Sequence, residues 1–137
     1  MKIEFFLTCI IILFTGYGCV DLGSDLEENI IEESTSFRKD IQPIFDISCA
    51  TSGCHVSGHS TELDLRDGKS YMEIVNITSI DFFPLKLVEP NKPDSSVLYL
   101  KIAGHSSTGS SMPPGGTLKK TNINSIKLWI ENGAQNN

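Results

Sequence analysis

Residues 49–55 read Cys49-Ala50-Thr51-Ser52-Gly53-Cys54-His55, two thiols and an imidazole inside one short stretch of chain. Whatever the thiols do, be it bridging each other, binding a metal or bonding a prosthetic group, they pin this stretch, and the rest of the chain must close around it. How many cysteines remain to compete with them depends on the first residues.

Those residues look like an export signal. Lys2 supplies a weak positive start, and residues 5–14 form an apolar run of ten. A membrane span needs roughly 20 residues, so the run fits the hydrophobic region of a signal peptide over residues 1–18. Small residues, Thr15-Gly16-Tyr17-Gly18, lead to Cys19. This resembles a bacterial lipoprotein lipobox, which implies cleavage before Cys19 and acylation of its sulfur. Cys9 is then discarded and Cys19 carries lipid, leaving Cys49 and Cys54 as the only thiols in an oxidising compartment. The expected location is a bacterial membrane surface, facing the periplasm or the cell exterior.

The net charge of −6 is unevenly distributed. Residues 19–37 hold Asp21, Asp25, Glu27, Glu28, Glu32 and Glu33 with no Lys or Arg, whereas from Arg38 onwards ten basic residues balance ten acidic ones. Residues 19–35 therefore read as an acidic, solvated tether, and residues 36–137 as one neutral domain. The absence of a basic stripe argues against nucleic-acid binding.

Within the domain the hydrophobic spacing is helical. Phe37, Ile41, Ile44 and Phe45 share one face of a helix over about 36–46, which Pro43 should kink or shorten. Leu63-Asp64-Leu65 is a short run in which Asp64 reads as a solvated turn, and Asp67 as the cap of a second helix through Tyr71, Met72, Ile74 and Val75. Pro84, Pro90 and Pro93 make 76–93 extended or turn. Asp94 should cap a third helix over 95–103, closed by Gly104. Ile123, Ile126, Trp129 and Ile130 define a last one over about 122–132, stopped by Gly133. The fold class is mostly α, about three to five helices with long loops. So small a core benefits from a staple or a cofactor.

Two thiols followed directly by a histidine is the arrangement that attaches haem c. The cysteines bond the two vinyl groups and the imidazole ligates the iron. The usual spacing leaves two residues between the cysteines; here there are four. Ser52-Gly53 offers a place where the surplus can loop outward. On the opposite face of the iron Met112 is the candidate ligand, because its thioether is soft and His/Met ligation suits electron transfer. Met112 and Pro113 each precede a proline, so Met112-Pro113-Pro114 reads as a stiff extended arm with Gly115-Gly116 turning the chain away. His105 and His59 are rival ligands. Two other uses of the thiols stay open: a Cys49–Cys54 disulfide, in a non-redox binding or structural domain, and a zinc site from Cys49, Cys54, His55 and His59. No nucleophile, phosphate-loop or paired-carboxylate motif indicates an enzyme.

The order of several segments carries a family resemblance. Ile41-Gln42-Pro43-Ile44-Phe45, residues 49–55, Glu89-Pro90, Asp94-Ser95-Ser96-Val97-Leu98-Tyr99, Met112-Pro113-Pro114 and Trp129-Ile130-Glu131-Asn132-Gly133-Ala134 together resemble a class I mono-haem c-type cytochrome domain. The likeness is to variants with widened cysteine spacing, and it spans about residues 36–135. It implies Cys49 and Cys54 as thioether anchors, His55 as proximal ligand and Met112 as distal ligand of a single haem c. It also implies redox protein partners, and first and last helices that cross near one haem edge with Trp129 between them.

Overall fold

Periodic apolar positions bracket the domain at both ends, and those two segments form its spine. The computed structural model describes residues 35–58 and 62–137, so the expected signal peptide, Cys19, nearly all of the tether and His59 lie outside the described residues. A π-helical turn, Phe37–Ile41, runs straight into α1, Gln42–Ser48. Ser36 caps it through a hydrogen bond accepted from the Lys39 amide, and Asp40 accepts from the Ser36 amide at 2.7 Å. Pro43 neither ends nor shortens this helix. It has no N–H for the carbonyl one turn back, so that turn widens to π geometry and α geometry resumes with Pro43 at the start, where it is tolerated.

Short helices α2, Ser70–Ile74, and α3, Val97–Ile102, follow, then the long α4, Lys120–Glu131. Short 3₁₀ turns occupy Pro93–Ser95 and Ser106–Thr108. The domain is thus mostly helical, and among the described residues there is no strand. Isolated bridges, Val75 to Val88, Thr78 to Lys86 and Lys86 to Ser96, fold the segment 76–88 back on itself and seat it on the start of α3. No helix of the described residues is long and apolar enough to cross a membrane.

The face expected from the first helix is buried as a set, Phe37, Ile41, Ile44 and Phe45 alike. It meets Ile126, Trp129 and Ile130 of α4, with Phe37 and Trp129 rings 5.1 Å apart. Tyr71 closes the aromatic cluster edge-on to both, 5.2 Å from Phe37 and 6.4 Å from Trp129. Indole Nε1 of Trp129 donates to the Gln135 carbonyl and Tyr71 Oη to that of Ala134, so the turn after α4 satisfies both polar tips. Gly133, at φ +91, supplies the left-handed residue that ends α4.

Four local expectations need correction. Met72 is exposed, because α2 is barely more than one turn long and turns Ser70, Tyr71 and Ile74, not Met72, towards the core. Asp67 precedes α2 by three residues and does not cap it, since Lys69 holds the cap position. Asp94 lies inside a 3₁₀ turn and Ser96 stands at the N-cap of α3. The Ser96 hydroxyl, fully buried, instead joins the Glu89 amide to the Lys92 carbonyl. Asp64 is buried rather than solvated, held by a two-point pairing with Arg66.

Candidate functional site

Helix α1 delivers the Cys–His stretch. Its Phe45 carbonyl accepts from the amides of both Cys49 and Ala50 at 2.8 Å, so Cys49 is fixed by the helix end itself. The chain then makes a turn in which the Cys54 amide donates to the Thr51 carbonyl at 2.9 Å. Gly53 takes φ +80 there, a conformation that excludes most side chains, and no atom lies within 4 Å of where a Cβ would stand. Thr51, Ser52 and Gly53 are all exposed. Immediately after, the His55 amide donates to the Cys49 carbonyl at 3.0 Å. The spacer between the cysteines is therefore bulged into solvent while the two ends of the motif stay joined.

The structure thus brings Cys49, Cys54 and His55 together, all half-buried. Both cysteines are unpaired thiols. Burial pushes the Cys49 thiol up to about 11, and the charge of a neighbouring Cys54 thiolate adds to the shift, so the two sulfurs sense one another. Among the described residues, no group of three or more His, Cys, Asp or Glu side chains is placed to hold a metal ion. The fourth member of the zinc set, His59, lies outside the described residues.

Behind the motif stands a polar strut that the sequence reading missed. The His55 carbonyl accepts from the Leu65 amide at 3.0 Å, and the Leu65 carbonyl accepts from Gln42 Nε2 at 3.1 Å. Gln42 also donates to Asp46, and its Oε1 accepts a hydrogen bond from the buried Ser70 hydroxyl. One buried side chain of α1 therefore ties the stretch after His55 to α1 and α2. The signal was present in the sequence as a glutamine wedged between the core positions Ile41 and Ile44. A polar group at such a place needs partners.

Met112 is held on a separate loop. Its amide donates to the Lys101 carbonyl at 3.1 Å, which fastens it to the last turn of α3. It is half-buried and lies outside the hydrophobic core cluster, so it is not a core-filling methionine. The expected extended arm is instead a cis Met112-Pro113 peptide leading into a turn, closed by the Gly116 amide on the Pro113 carbonyl at 3.2 Å. Gly115 turns the chain away at φ +73, as expected. His105 is exposed, and its Nδ1 is engaged by Ser107, both the hydroxyl at 2.8 Å and the amide at 3.3 Å, so the ring caps its own 3₁₀ turn.

Beside the motif opens a polar cleft lined by Val56, Ser57, Asp64, Arg66, Lys69 and Glu73, among others. Arg66 beside Asp64 lowers that carboxyl to about 2, and Glu73 accepts from the Asp64 amide at 2.9 Å. The cleft is charged, with Asp64 and Arg66 paired across part of it, and its lining is not that of an apolar ligand pocket.

No family model, no curated protein and no solved structure matches this chain. The functional reading rests on the residues themselves.

Proposed function

We propose that this chain is an electron carrier, a small cytochrome c-like domain that holds one haem c through Cys49 and Cys54, with His55 and Met112 as axial ligands. The observation that carries the reading is the closure of the widened motif, in which the His55 amide bonds directly to the Cys49 carbonyl while the spacer bulges outward. This supports treating the stretched motif as equivalent to the ordinary one, with its anchors and ligand on one compact loop.

The donor set fits the group. Each thiol would add S–H across a vinyl C=C, sulfur bonding one carbon and hydrogen the other, so nothing leaves. Bonding to carbon does not require the thiols to converge on a metal ion, in keeping with the absence of a chelating cluster among the described residues. His55, clasped at its amide by Cys49 and at its carbonyl by Leu65, presents its imidazole from a fixed backbone. Met112 offers a thioether from a loop outside the core. When bound, the haem supplies reversible one-electron chemistry at the iron. With His55 and Met112 both holding the iron, no position would be left for a substrate, which favours electron transfer over reaction. A lipid on Cys19 and the acidic tether would keep the domain at a membrane surface within reach of redox protein partners.

Expression of the full chain with a haem-attachment system tests this. The expected product is red, with a sharp reduced α band and a covalent mass gain of one haem. A colourless product with a Cys49–Cys54 disulfide overturns the proposal in favour of a non-redox lipoprotein domain. In the red protein, Met112→Ala should open the sixth position and lower the potential; an unchanged spectrum removes Met112 as ligand.

A further inference from the structure

Lys101 holds the loop that carries Met112 at two points, Met112 itself through its main chain and Ser110 through its side chain. The Lys101 carbonyl, at the end of α3, accepts from the Met112 amide at 3.1 Å. Its Nζ reaches along the same loop to the Ser110 carbonyl at 3.2 Å. The same ammonium sits 5.0 Å from the centre of the Phe82 ring, within the range of a cation–π contact. Phe82 belongs to the folded-back segment 76–88, where its amide donates to Ser79 Oγ and its carbonyl accepts from the Leu85 amide. The segment itself is seated on α3 by the Val97 and Leu98 amides, which donate to the Lys86 and Leu87 carbonyls.

The loop between Lys101 and Met112 is compact. The His105 amide donates back to the Leu100 carbonyl at 2.9 Å, Thr108 is buried beneath the loop, and Gly104 approaches Ser111, whose Cβ lies 3.9 Å from the position a Cβ on Gly104 would take. The loop therefore leaves α3 and returns to it within one turn. Lys101 Nζ braces the return limb against a second element.

We infer that Lys101 is the positioning residue for Met112, a side-chain clamp that keeps the thioether at its post. This rests on the proposal that Met112 is the distal ligand. Truncating the clamp leaves the main-chain bond but frees the return limb, so the sulfur spends more time detached. An exogenous ligand competes only with the detached state, and its apparent affinity scales with that state's population.

The experiment compares wild-type holoprotein with Lys101→Met and Lys101→Arg. Methionine keeps the apolar stem over Phe82 and removes the charge and donors, whereas arginine keeps both. For the ferric Lys101→Met protein, imidazole should bind roughly fivefold more tightly, the scale of one lost charged hydrogen bond at a partly solvated site. The Met112 amide should also exchange its proton faster, and Lys101→Arg should return both readings towards wild type. Unchanged imidazole affinity and Met112 exchange in Lys101→Met, or no recovery in Lys101→Arg, overturns the clamp while the haem reading stands. A colourless wild-type protein overturns the haem reading and the ligand role together. In that haem-free protein, Met112 exchange that is the same in wild type and Lys101→Met would count separately against the clamp.

Discussion

The two ends of this domain are built by different means. At one end Phe37, Phe45 and Trp129 are buried with Tyr71 packed at their edge, and ring contacts run from 5.1 to 6.4 Å. At the other, Cys49, Cys54 and His55 are only half-buried, and hydrogen bonds place them, Cys49 to His55 and His55 to Leu65; Met112, on its separate loop, is likewise half-buried and tied by its amide to Lys101. Apolar burial is non-directional and holds helices together, whereas hydrogen bonds fix where a backbone points. The aromatic end therefore supplies stability and the thiol end supplies aim. Mutations at the two ends should fail in different ways.

The sharpest separation comes from Trp129→Ala. The indole is almost wholly buried and its Nε1 is bonded to Gln135. Removing it should cost about 3–5 kcal/mol. Small domains are stable by only about 5–15 kcal/mol, so a large share of the fold is at stake. Urea unfolding followed by far-UV circular dichroism measures it, with or without haem. A loss below about 1 kcal/mol would break the comparison, because the aromatic end would then not carry the fold.

Gln42→Leu probes the join between the ends. Leucine keeps the bulk but leaves the Leu65 carbonyl and the Ser70 hydroxyl without their buried partner, which should cost about 1–3 kcal/mol. The consequence that matters is local. The Leu65 amide, bonded to the His55 carbonyl, should lose protection from hydrogen exchange by more than the global destabilisation accounts for. Uniform loss across the domain would mean that Gln42 serves the core alone and does not steer the motif.

How much could be read from the chain follows the same division. Positions 37, 41, 44 and 45 and positions 126, 129 and 130 declared themselves by period, because helix packing is written in side-chain spacing. The motif at 49–55 declared its residues, and Gly53 its outward bulge, since left-handed backbone favours glycine. The burial of Asp64, the cap at Ser96 and the strut through Gln42 were not legible. Each depends on a hydrogen bond between segments whose meeting no local pattern announces. Pro43 was legible as a disturbance, but whether a helix breaks or widens depends on what the neighbouring turns gain. Here Phe37 and Ile41 both reach the core by widening. Met112 could be picked out as a loop thioether, yet the residue that braces it, Lys101, lies in a helix read only for its apolar face.

The last comparison distinguishes the ends by pH. Burial holds the Cys49 thiol protonated in the folded chain, raising it from 9.0 to about 11. Unfolding in that window releases a proton, so the folded state is favoured fully below about pH 9 and loses this contribution as pH rises towards 11. In haem-free, reduced protein the stability curve should therefore slope downward over that range. Cys49→Ala removes the slope that belongs to this thiol, at a small constant cost from lost packing. Wild type should thus lead the variant below pH 9, with the gap narrowing up to about pH 11. Thermal melts taken in steps across the window measure it, and tyrosine and lysine titration cancels in the difference. Parallel curves would mean that Cys49 sits in water in the folded chain. The thiol end would then lack the partial burial that separates an anchored site from an exposed loop.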